Sequence, residues 1–114
     1  MAPTTPEERI ARIVKRGAGF IYYVSREGVT GMQAKVSETI GSMTARIRKH
    51  TSLPIAVGFG ISNPQQARSV AATAEAIVVG SAVVNRIAEL GKSPELVSQV
   101  SGFVRELAEA VRKV

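Results

Sequence analysis

Three short runs in this chain are apolar at nearly every position, and each is followed by a stretch with helical periodicity. The runs lie at 20–25 (FIYYVS), 53–61 (LPIAVGFGI) and 76–79 (AIVV). A strand with one wetted face alternates apolar and polar residues, whereas a strand covered on both faces reads as continuous Val, Ile and Leu. Strands of the second kind alternating with amphipathic helices predict a parallel sheet covered by helices.

The intervening segments fit that scheme. Thr5-Pro6-Glu7-Glu8 opens a first helix, with Thr5 as the cap, Pro6 at the first helical position and Glu8 closing a capping box. Ile10, Ile13 and Val14 form its apolar stripe, and Gly17 ends it. Arg26 to Met32 reads as a loop, rich in turn formers at Gly28, Thr30 and Gly31. Val36, Ile40, Met43 and Ile47 recur at spacings of four, three and four, which predicts a helix over about 33–49 that runs through Gly41. Ser62-Asn63-Pro64-Gln65 is a second capping box, before a helix whose face is Ala67, Val70 and Ala71. A helix over 82–90 follows the third strand directly. The last helix carries Leu96, Val97, Val100, Phe103, Val104, Leu107 and Val111 on one side.

Three strands make a narrow sheet for this architecture. Doubly wound domains have five or six strands, and a (β/α)8 barrel needs about 250 residues. With 114 residues, the chain reads as one domain and as a piece of a larger fold.

Several kinds of chemistry are excluded by residue type. There is no Cys, which removes disulfides, thiolate metal sites and cysteine nucleophiles, and a single His removes multi-imidazole zinc sites. No apolar run nears the roughly 20 residues of a membrane span, and the opening MAPTTPEE lacks a basic-then-apolar signal pattern. A soluble, cytoplasmic chain with no membrane partner is expected. The formal charge of +6 comes from dispersed basic residues mixed with acids. Its densest cluster, Arg46 to His50, sits where a helix C-terminus favours cations. No aromatics are interleaved with it as a base-stacking surface requires, so nucleic acid is not the expected partner.

The strongest local signal is glycine at the strand ends: Gly28 and Gly31 after the first, Gly58 and Gly60 at the second, Gly80-Ser81 at the third. In parallel α/β folds these C-terminal ends gather on one face, where ligands bind. Bare backbone there admits a phosphate to N–H groups, and Ser81 opens a helix whose dipole attracts anions. Strand parity puts Phe20, Tyr22 and Val24 on one face and Ile21, Tyr23 and Ser25 on the other, without saying which faces inward.

The blocks YYVSREGVTG (22–31), PIAVGFGIS (54–62) and VGSAVV (79–84) together closely resemble the tryptophan synthase alpha-subunit family. The first block is highly specific, the second moderately so, and the third weak alone. The resemblance covers essentially the whole chain but only the C-terminal part of the family's barrel. It implies the C-terminal half of a (β/α)8 TIM barrel, a single segment over 1–114 running from the tail of strand five at 1–4 through the final helix. The activity it implies is a lyase step in tryptophan biosynthesis, cleaving indole-3-glycerol phosphate to indole and glyceraldehyde 3-phosphate.

By the same resemblance, Gly31, Gly60, Gly80 and Ser81 bind the substrate phosphate. Tyr22 and Phe59 line the indole pocket, and Thr30 supports a catalytic aspartate from its loop. The family's acid/base glutamate and aspartate come from the second strand and its loop, which lie outside this segment, so no catalytic carboxylate is expected in the chain. Glu27 is the only acid expected near the ligand, and one carboxylate does not readily serve as both base and acid. No cofactor or metal is expected. The implied partners are a small phosphate ester and, for the full-length protein, the pyridoxal-phosphate-bearing beta subunit. A half-barrel also leaves an apolar face and two sheet edges to cover, which points to a homodimer or to an N-terminal half-barrel partner. The alternatives are a non-catalytic phosphate-binding half-barrel, another phosphate-binding barrel enzyme and a basic nucleic-acid-binding protein. His50 reads as a capping or solvated residue without an orienting partner, and Met32 and Met43 as helix core.

Overall fold

A computed structural model of the chain describes residues 1–25 and 33–112. The elements in order are α1 (Glu7–Arg16), β1 (Ile21–Val24), α2 (Gln33–Arg48), β2 (Ile55–Gly58), α3 (Pro64–Ala71), β3 (Ala76–Val78), α4 (Ser81–Leu90) and α5 (Leu96–Arg112). The three strands form one parallel sheet in the order β1-β2-β3. Tyr22 sits beside Ala56 and Val24 beside Gly58, while Ala56 and Gly58 in turn neighbour Ala76 and Val78. The segment from Arg26 to Met32, including Thr30 and Gly31, lies outside the described residues.

Helices cover one face of the sheet only. Ile21, Tyr23, Ile55 and Val57 point into a core with Ile10 and Val14 of α1, Ile40, Met43 and Ile47 of α2, and Val70 of α3. A second cluster joins Ile61 and Ala67 to Phe103 and Leu107 of α5, with Ile77 and Val79 packed against it. On the opposite face Phe20, Tyr22 and Val24 are 57%, 41% and 40% exposed, against 4% for Ile21 and 0% for Tyr23. The parity that the sequence leaves open is thereby resolved: the even-numbered residues face away from the helices.

Local details correct the expected capping. Pro6, not Thr5, is the N-cap of α1, and no side chain caps that helix. The Thr5 hydroxyl instead accepts from the Ala2 amide at 3.0 Å. Glu8 therefore closes no box, and Glu7 does different work: its carboxylate accepts from Arg46 Nε and lies 3.1 Å from His50 Nε2. His50 thus has the partner that its sequence context did not reveal. The second box is real but shifted by one residue. Asn63 Oδ1 accepts from the Gln66 amide at 2.9 Å, and Gln66 Oε1 reaches back to the Ser62 amide at 2.8 Å. In α5 only Phe103 and Leu107 of the expected stripe are fully buried; Val97 and Val104 are exposed. Likewise Ile13 of α1 is exposed, because Ile10 and Val14 alone satisfy the packing against β1.

The molecule is more open than a compact monomer. Its radius of gyration is 15.4 Å, where about 13 Å is ordinary for this length. The outer edge of β1 is met by Met1, whose amine donates to the Tyr22 carbonyl at 2.8 Å and whose carbonyl accepts from the Val24 amide at 2.9 Å. No described strand pairs with the outer edge of β3.

Candidate functional site

Parallel strands all end on the same side, and here those ends border a concavity of about 490 Å³. Tyr22, Val24 and Ser25 line it from β1, Gly58, Phe59 and Gly60 from β2, and Val78, Gly80 and Ser81 from β3 and the start of α4. Of the expected site residues, Tyr22, Phe59, Gly60, Gly80 and Ser81 are brought together. Thr30 and Gly31 lie outside the described residues.

Each strand end contributes bare backbone for its own reason. Gly60 has φ +77°, a left-handed conformation that side-chain-bearing residues rarely adopt, so the turn out of β2 needs glycine. Gly80 is the N-cap of α4 at φ −120°, a value open to most residues. A Cβ there would meet nothing within 4 Å, so glycine leaves open space in front of the helix. Gly58 is different. A Cβ on it would lie 2.8 Å from the Tyr22 hydroxyl oxygen, so its missing side chain is the seat of the tyrosine ring. Ser25, Gly58, Val24 and Val78 complete the lining, and of these the glycine pattern flagged only Gly58, for a different purpose.

The helix start carries the site's electrostatics. The amides of Val83 and Val84 bond back to the Gly80 carbonyl at 3.0 and 3.1 Å. Ser81 and Ala82 occupy the first helical positions, whose N–H groups have no intrahelical acceptor. The ten-residue α4 adds the positive end of its dipole at the same point. No charged side chain lines the concavity among the described residues. The arrangement therefore suits an anion held by amides and a hydroxyl, with the apolar walls of Tyr22, Val24 and Phe59 beside it.

The described carboxylates lie elsewhere. Glu75 accepts from Arg48 and from the Ile55 amide at 2.8 Å, tying α2 to the start of β2. The Arg48 hydrogen bond holds its carboxyl below the ordinary range, despite partial burial that pushes the other way. Glu7 is lowered in the same sense, first by its hydrogen bond to His50 and then by Arg46. Both acids fasten helices and neither faces the concavity. Among the described residues no group of His or acidic side chains could hold a metal ion, and no helix is long and apolar enough to cross a membrane.

Comparison with known proteins agrees with this architecture. A family model described as tryptophan synthase alpha chain matches residues 1–112. The curated tryptophan synthase alpha chain of Opitutus terrae is 58% identical over 98 residues, spanning 86% of this chain and 37% of that relative. Among solved structures, the tryptophan synthase alpha chain of Legionella pneumophila superposes with a TM-score of 0.80 at 27% identity, covering 100% of this chain and 41% of its own. Mycobacterium tuberculosis tryptophan synthase gives 0.80 at 32% identity, with 98% and 40% covered. The chain thus spans about two-fifths of the length of these relatives, and its parallel strands and helices are part of their (β/α)8 barrel.

Proposed function

Because the chain belongs to the tryptophan synthase alpha chain family, we propose that it supplies the phosphate-binding half of a site that cleaves indole-3-glycerol phosphate to indole and glyceraldehyde 3-phosphate. One observation carries the reading: Gly60, Gly80 and Ser81, from two strand ends and a helix start, meet at one concavity with Tyr22 and Phe59. The substrate phosphate sits against the Gly60, Gly80 and Ser81 amides and the Ser81 hydroxyl, and Gly31 joins them from its loop. Tyr22 and Phe59 flank the indole ring, whose flat apolar face suits aromatic and aliphatic walls. Thr30 supports the catalytic aspartate.

Cleavage needs a base at the indole nitrogen and an acid at C3. No carboxylate among the described residues borders the concavity and Glu27 lies outside them; on this reading the acid and base come from outside this segment. Proton transfer by positioned groups contributes about 10² to 10⁴-fold each, which leaves the 114-residue chain without appreciable turnover on its own. In the full-length protein the beta subunit receives the indole. The test is a lyase assay on the chain alone and after adding the N-terminal segment of the Opitutus relative. Turnover only in the mixture supports the reading. A mixture that binds glycerol phosphate yet turns nothing over favours the second reading, a phosphate-binding half-barrel without catalysis.

A further inference from the structure

From the contact between α4 and α5 we infer that Arg86 is a positioning residue for the phosphate-binding end of α4, acting through the ring of Phe103. The Arg86 guanidinium carbon lies 3.9 Å from the centroid of that ring. Phe103 is 4% exposed and packs with Ile61, Ala67 and Leu107, so the core holds the ring in place under the cation. A cation over an aromatic face is attracted by the ring quadrupole, and a planar guanidinium can stack there as an ammonium cannot. Both residues belong to this segment, and neither lines the strand-end concavity.

α4 has little else to hold it. Among the described residues α1, α2, α3 and α5 each bury at least two side chains, whereas α4 buries none. It lacks a side-chain cap at Gly80 and a basic residue in its last turn, where Glu89 sits at the negative end of the dipole. A ten-residue helix with so little support of its own is marginal unless something packs on it. Its first turn meets the core through the partly buried Ala82 and Val83. Arg86 follows them on the same face, one turn further along, and ties that turn to α5. Two fixed turns set the tilt of the helix axis, and with it the direction of the free Ser81 and Ala82 amides. An anion held by amides needs N···O distances near about 2.9 Å, so a helix rocking about its first turn holds it less well. This role rests on the phosphate-binding reading of the strand ends; the contact between Arg86 and Phe103 does not.

Amide hydrogen exchange on the 114-residue chain reads the clamp, and a glycerol phosphate titration reads its consequence. In Arg86→Ala, exchange at the α4 amides should quicken about two- to fivefold, as the loss of one exposed cation–π contact implies. Exchange in β2 and the urea midpoint should stay nearly unchanged, which a general loss of stability would not allow. The dissociation constant for glycerol phosphate should rise about twofold or more, as the competent orientation of α4 becomes less populated. Arg86→Lys, which keeps the charge, should restore most of both properties, and Arg86→Met, which keeps only the apolar stem, should not. In a Phe103→Leu background, Arg86→Ala should change neither any further. Unchanged α4 exchange in Arg86→Ala overturns the inference, as does an unchanged dissociation constant, full rescue by Arg86→Met or an equal effect in the Phe103→Leu background. No binding by the unsubstituted chain is a different result: it overturns the phosphate reading itself, and the role of Arg86 with it.

Discussion

Tyr22 and Tyr23 are adjacent residues of the same strand, yet one is nearly half exposed and the other fully buried. The difference is one of faces. Toward the helices, Tyr23 packs with Ile21, Ile55 and Val57 in a core built from α1, α2 and α3. On the other side, Tyr22 leans over Gly58 with no helix above it. Both faces are written in the same apolar residues, so the sequence treats both as interior, although only one is covered by the chain's own helices. A parallel strand that is apolar on both faces belongs in a two-sided environment, and the uncovered face is where a partner and a ligand are to be sought.

The contrast is most easily broken by truncating each tyrosine. Tyr23→Ala should cost about 3–5 kcal/mol, in line with deleting a buried aromatic. Tyr22→Ala in dilute solution should cost no more than about 1 kcal/mol. Urea unfolding of both variants makes the comparison, and equal losses would mean the two faces are equally packed. Next in size is the seat of Tyr22. Gly58→Ala puts a methyl 2.8 Å from the tyrosine oxygen, the far end of a half-exposed side chain that can swing aside, and should cost no more than Tyr22→Ala, at most about 1 kcal/mol. In a Tyr22→Phe background the loss should shrink, giving a coupling of about 0.5 kcal/mol or more in the double-mutant cycle.

On the covered side, Asn63→Ala removes the side-chain acceptor for Gln66 and should cost about 1 kcal/mol by thermal melting. The smallest effect is acid sensitivity. Glu7 and Glu75 are held below their ordinary pKa in the folded chain. Their contribution is complete above the unfolded carboxylate range and is lost as pH falls through the lowered folded values. Glu75→Gln should flatten the acid limb of the stability profile, and Glu7→Gln should flatten it less, since Glu75 also accepts from the Ile55 backbone amide whereas Glu7 meets only surface side chains.

Much of the fold was legible because its signals are local. Continuous apolar runs marked all three strands, helical spacing marked α2 through Gly41, and Asn63 with Pro64 marked the start of α3 to within a residue. What stayed hidden depends on contacts between distant segments. Thr5 looks like a cap until Ala2 turns back to its hydroxyl. His50 looks unpartnered until the folding of α1 against α2 brings Glu7 to it. Val97 and Val104 repeat with the right period, but α5 buries only Phe103 and Leu107, with Val111 partly covered beside them. In the site, glycine at strand ends pointed to Gly60 and Gly80, which do border one concavity, because each strand's end is fixed by the parallel topology. It could not separate Gly58, which makes room for a side chain, from Gly60, which makes a turn. That distinction lies in the register that sets Tyr22 beside Ala56 and Val24 beside Gly58.

An amide chemical-shift titration with glycerol phosphate asks the decisive question directly. The expected result is saturable shifts at Gly60, Gly80 and Ser81, with little change along α1, and their loss of affinity in Ser81→Ala. Shifts that gather instead on the basic side of α1, around Arg9, Arg12 and Arg16, or that never saturate, would contradict a phosphate grip at the strand ends.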